Sequence, residues 1–251
     1  MNKKIFLTGA SSGIGRRLVF EFAARGHDLA ICARRIELLK ELRDEVLRLH
    51  PDRHIITIAL DVTDYAAIPE AIEQAYQQLG GLDTVIANAG IDKAGKVGRG
   101  KFANDRAVIE TNVLGAMATI DAAAALFLRQ NHGHIVVLAS VAAFLGLPGM
   151  ASYSASKAAI ASYAQSARFE LRKTNIKVTT LYPGFIDTAI NQNIASRPFL
   201  VTVEAGSRQI ARLIERQVSQ AAVPAFPWKI VGWLLRNLPE WFLARLLKSV
   251  H

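Results

Sequence analysis

The chain has 251 residues, of which 51% are hydrophobic and 20% charged, a composition that buries a large core and excludes intrinsic disorder. Its single cysteine excludes an internal disulfide framework and suits a reducing, cytoplasmic compartment. The net charge of +9 points to an anionic partner: nucleotide phosphates, an acidic membrane surface or nucleic acid. Nucleic acid is the weakest of the three, because the basic residues are spread over several helices and carry no nucleic-acid motif.

In chain order, KKIFLT (3–8) reads as a first strand. Its basic start is followed by too short an apolar run for a secretory signal. No later stretch approaches the ~18 consecutive apolar residues of a spanning helix. A helix follows over about 14–24, then a strand HDLAICA (27–33) and a helix over 36–49 that stops before Pro51. HIITIAL, the helix AIPEAIEQAYQQL and DTVIAN come next. A long helix around 107–129 leads to HIVVLAS, then a helix over 152–173, IKVTTLY (176–182) and a last strand in AAVPAF (221–226). The strands are continuously apolar, as in a parallel sheet covered on both faces. Strict β–α alternation then predicts one doubly wound α/β domain of about seven strands. Cys32, inside the run LAICA, is expected in the core. Around His50, His54, His132 and His134 there is no metal-ligand spacing, and no metal is expected.

Two stretches carry chemistry. TGASSGIG (8–15) places Gly9, Gly13 and Gly15 at the first strand-to-helix turn, with Ser11, Ser12 and Ile14 between them. Glycines there let the backbone approach a pyrophosphate resting on the helix N-terminus. At the end of the second strand, Ala33 stands where an acid would hold the ribose 2′-OH of NAD, and Arg34 and Arg35 follow. Arginine at a helix start opposes the helix dipole, so a 2′-phosphate clamp, and NADP(H) in preference to NAD(H), is the favoured reading. The second stretch, YSASK (153–157), puts Tyr153 and Lys157 on one helical face. A lysine there lowers the phenol's pKa toward the range of a general acid or base. An ordinary surface helix gives the same letters, so the surrounding motifs decide.

Together these motifs resemble the short-chain dehydrogenase/reductase family, in its short single-domain branch, from the N-terminus to about Thr188. NAG (Asn88, Ala89, Gly90), Asn112 in ETNVLG, Ser140, LDV (60–62) and PGFIDT (183–188) complete the resemblance. It implies a Rossmann-type fold and hydride transfer between a nicotinamide dinucleotide and a small carbonyl or alcohol substrate. Tyr153 would be the proton donor and Ser140 the carbonyl donor. Lys157 would bind the nicotinamide ribose, and Asn112 would support a water next to Lys157. Asp61 and Val62 would lie near the adenine, Asn88 to Gly90 along the cofactor, and Pro183, Gly184, Ile186 and Thr188 around the nicotinamide. A homodimer or homotetramer is the expected assembly.

The reading divides the chain into a catalytic domain over 1–226 and a helical extension over 227–251. In the extension, Glu240–Val250 has an amphipathic pattern, with Trp228, Trp233 and Trp241 and several bases nearby. Packing against the domain or a second subunit comes first, ahead of a lid over an apolar cleft or peripheral membrane contact. The substrate loop, 189–201, offers one cation, Arg197, and no acid, which leaves an apolar or mildly polar carbonyl compound. A rival reading from a different class is a non-catalytic NADP-binding sensor or membrane-associated scaffold.

Overall fold

A computed structural model of the chain describes residues 2–93, 95–192, 197–239 and 241–243. Seven strands form one sheet: β1 Lys4–Thr8, β2 Asp28–Ala33, β3 Ile55–Ala59, β4 Thr84–Ala87, β5 Gly133–Leu138, β6 Ile176–Pro183 and β7 Gln220–Val223. Their spatial order is β3-β2-β1-β4-β5-β6-β7, and every neighbouring pair is parallel. The order reverses between β1 and β4, which opens a crevice at the carboxyl ends of those two strands.

Period-two alternation splits each inner strand between two cores. Ile5, Leu7, Leu29 and Ile31 face α1 (Gly13–Ala24), α2 (Ile36–Leu49) and α7 (Val203–Glu215). Phe6, Ala30, Cys32, Val85 and Ile135 face α3 (Ala67–Leu79), α5 (Ala116–Gln130) and α6 (Ala151–Glu170). Both faces are dry, which is why the strands lack polar alternation. Cys32 is buried and its thiol pKa is pushed up by that burial, in keeping with a packing residue.

Two elements depart from expectation. The long helix starts earlier, as α4 (Phe102–Ile109), and passes through a π-helical segment, Glu110–Gly115, before α5. This run of 102–130 is long and apolar enough to cross a membrane, but half of its apolar window is buried. Its apolar content belongs to the core, against β4, β5 and α6. β7 ends at Val223, and the last residues of AAVPAF instead open α8 (Ala225–Asn237). Pro224, which lacks an N–H, suits a cap better than a strand interior. α8 packs on β7 and on the end of β5, where Trp228 joins Ala139, Val141 and Tyr182 in a third small core. The amphipathic pattern over 240–250 lies outside the described residues apart from 241–243.

Candidate active site

The glycine-rich turn is built by exclusion of side chains. Gly9 has φ of +69°, and a β-carbon there would fall 2.7 Å from Ala89 Cα. One on Gly15 would sit 2.3 Å from the Gly9 carbonyl oxygen. The turn therefore lies flat against the end of β4. Thr8 and Asn88 tie it down: the Thr8 hydroxyl accepts from the amides of Asn88 and Ala89, both at 3.1 Å. Asn88 Nδ2 donates to the carbonyls of Thr8 at 2.9 Å and Gly9 at 3.2 Å. α1 then begins at Gly13 behind Ser12, with no side-chain cap and no acid in its first turn. Its free amides make a positive, cradled anion site.

The two arginines stand at the rim of the same cleft. Arg35 Nη2 donates to Ser11 Oγ at 3.2 Å, and Arg34, 70% exposed, lies 3.9 Å from Asp61. Asp61 Oδ1 accepts from the amide and hydroxyl of Thr63, at 3.0 and 2.9 Å. Across the cleft, Thr188 sits beside Gly13, within 3.4 Å of where a Gly13 β-carbon would be. Ile14, Val62, Gly90, Pro183, Gly184 and Ile186 line the walls.

Beyond the turn, the four polar residues singled out in the sequence come together. Asn112, on the π-helical segment, is 2% exposed and its amide is fully used. Oδ1 accepts from Ile91 N at 2.8 Å; Nδ2 donates to Ile91 O at 2.8 Å and to Ser156 Oγ at 3.1 Å. Ser156 in turn donates to Tyr153 O at 2.7 Å. Gly90 lies against both Asn112 and Lys157: a β-carbon there would be 3.3 Å from Asn112 Oδ1 and 3.5 Å from Lys157 Nζ. Lys157 Nζ donates to Leu138 O at 2.9 Å and stands 5.7 Å from the Tyr153 ring centre. Ser140 follows β5, accepts from Ala142 N at 3.1 Å and donates to Pro183 O at 3.4 Å.

The electrostatics differ from the simple i,i+4 expectation. Burial pushes the Tyr153 phenol up to about 12; Ser140 draws it back and the charge of Asp92 adds to the rise. Burial also pulls Lys157 down to about 8. The expected fall of Tyr153 toward neutrality is not produced by this cleft, where burial is the largest influence on the phenol. Tyr153 is a neutral phenol at physiological pH, ready to donate. Thr8, Ser156 and Asp92 were not singled out in the sequence, although Thr8 and Ser156 lie within the two chemical stretches; Trp228 was named there only as part of the C-terminal extension.

The cleft holds about 860 Å³ and runs from the glycine turn to an apolar end lined by Leu145, Met150, Phe185, Phe199, Trp228 and Val231. Trp228 is 5% exposed and rests on Gly184, where a β-carbon would fall 2.1 Å from its indole nitrogen. One face of α8 thus closes the apolar end. Residues 193–196 of the expected substrate loop lie outside the described residues.

A doubly wound parallel sheet with a cradled helix N-terminus at its switch point defines a dinucleotide-binding α/β protein. The family model for "short chain dehydrogenase" matches residues 3–198, and the chain belongs to that family of oxidoreductases. It is 40% identical over 238 residues to an uncharacterized oxidoreductase of Mycobacterium tuberculosis, spanning 94% of each chain. Among solved structures it resembles a short chain dehydrogenase/reductase from Burkholderia phymatum in complex with NAD. That likeness has a TM-score of 0.84 at 22% identity and covers 97% of this chain and 95% of that one. It also resembles an alcohol dehydrogenase from Thermococcus sibiricus complexed with 5-hydroxy-NADP. Here the TM-score is 0.80 at 22% identity, over 89% and 96% of the two chains.

Proposed function

We propose that the protein is an NADP(H)-dependent reductase of apolar ketones or aldehydes. The observation that carries this reading is the convergence of Ser140, Tyr153 and Lys157 on one cleft that continues into the glycine turn, with Asn112 buried behind Ile91 in its wall. The flat Gly9–Gly15 backbone and the uncapped start of α1 fit a pyrophosphate. When bound, the dinucleotide supplies the hydride.

The chain's own residues do the rest. Negative charge develops on the carbonyl oxygen as hydride arrives, and the hydroxyls of Ser140 and Tyr153 are donors positioned to meet it. Tyr153, held as a phenol, then transfers its proton to that oxygen. Lys157, held on Leu138 O and 5.7 Å from the Tyr153 ring centre, would hold the ribose hydroxyls of the dinucleotide. Asn112 fixes Ile91 and, through Ser156, the backbone of Tyr153. Arg34 and Arg35, only lightly engaged, favour the 2′-phosphate, and the apolar wall built by α8 favours an apolar substrate.

The test is Tyr153→Phe. NADPH binding, followed by fluorescence titration, should stay within about threefold of the parent, while turnover of a ketone panel falls by roughly 10²–10⁴. Full turnover in this variant would remove Tyr153 from the mechanism. Tight NADPH binding by the parent with no turnover on any carbonyl would revive the sensor reading.

A further inference from the structure

Asp92 follows the NAG turn and lines the cleft together with Tyr153 and Ser140. Its Oδ1 is buried and has no hydrogen-bond partner among the described residues. Partial burial raises its pKa. Its charge reaches Tyr153, whose pKa it lifts further. The position is not slack: Asn112 grips both the N–H and the C=O of the preceding residue, Ile91, at 2.8 Å each. An unsatisfied polar atom of this kind costs about 1–3 kcal/mol, and a native cleft holds one where something else completes it.

We infer that Asp92 selects the substrate by accepting a hydrogen bond from a hydroxyl adjacent to the carbonyl, so that the substrate class is the apolar α-hydroxy ketones. The inference rests on the carbonyl-reductase reading above. The carbonyl carbon takes a hydride and the oxygen takes the Tyr153 proton. The ketone leaves as a vicinal diol, with oxidation of NADPH to NADP+. A hydroxyl is a better match than an ammonium, because the exposed segment after Asp92 carries Lys93, Lys96, Arg99 and Lys101 and repels cations from that side. The apolar end of the cleft, closed by Phe199 and Trp228, takes the remainder of the molecule.

A matched pair tests this: phenacyl alcohol and acetophenone, reduced with NADPH by the parent and by Asp92→Ala. The parent should favour phenacyl alcohol in kcat/KM by about 10² or more, as for a site built to pair a substrate hydroxyl. In Asp92→Ala that ratio should collapse to the small preference set by the intrinsic reactivity of the two carbonyls. Asp92→Asn, which keeps an acceptor oxygen, should recover part of it. Calorimetric titration of phenacyl alcohol into the NADP+-loaded protein should show binding at least about tenfold weaker in Asp92→Ala. Equal turnover of both ketones by the parent, or a ratio unchanged in Asp92→Ala, overturns the role of Asp92 and leaves the reductase reading standing. A preference for phenacyl amine over phenacyl alcohol overturns the hydroxyl assignment. Turnover of neither ketone, with NADPH still bound, overturns both.

Discussion

Lys157 is buried at 6% exposure, bonded to a backbone carbonyl, and held near pKa 8. Its folded value lies below the ordinary lysine value of about 10.4, so the ammonium is present below about pH 8 and is lost above it. Tyr153 stays protonated throughout that window. The kcat/KM for ketone reduction should therefore be level from about pH 6 to 7.5 and decline above 8, a profile that reports the free enzyme. Lys157→Arg, whose guanidinium does not titrate, should be slower but lack the break. A break that persists in that variant would assign the titration to another group. At the rim, Arg34→Asp should weaken NADPH binding by at least about tenfold while leaving NADH binding near its parental value, as expected when a 2′-phosphate contact is lost. Equal losses for the two would deny the clamp.

At the scale of elements, the β1–α1 turn has no room for a single added carbon. Gly15→Ala should displace the Gly9 carbonyl and abolish dinucleotide binding in a fluorescence titration, with a modest loss of thermal stability. Retained binding would show that the turn can yield. Much of this level was legible in the sequence. Continuous apolar runs marked doubly covered strands, and TGASSGIG fell at the turn its glycines demand. The π-helical segment was not legible, because no local letter pattern marks it and its Asn112 is held by Ile91, twenty-one residues away in sequence. Asp92 was overlooked for a related reason: a carboxylate beside a glycine turn reads as solvated surface until burial is seen. The tyrosine–lysine spacing gave the right juxtaposition and the wrong direction of the phenol's shift, since desolvation has no sequence signature.

The whole molecule presents α8 as an element with two apolar sides. Trp228 and Val231 face the cleft, while Phe226, Ile230 and Trp233 are 76%, 55% and 63% exposed. Arg236 stacks 4.1 Å over Phe144. We propose a second copy of the chain as the cover for the outer side. Sedimentation should find a dimer or larger assembly, and Trp233→Glu should shift it toward the monomer. A monomeric parent that co-sediments with anionic vesicles would reverse that preference.

The widened turn at Glu110–Gly115 also has an arithmetic consequence. Each residue of an α-helix advances about 100° around the axis, and the widened turn absorbs about one such step. Deleting one residue within it would let a regular spiral run from Phe102 to Gln130 with the downstream side chains near their present bearing, but without the widened turn that carries Asn112. Smoothing the turn with the length unaltered would instead swing every downstream side chain by roughly 100°. Ile120, Ala123, Leu126 and Phe127, now buried in the core, would rotate out of it. The irregularity is thus a phase shifter: it lets one continuous rod obey two orientations at once, one set by the reaction cleft and the other by the hydrophobic interior.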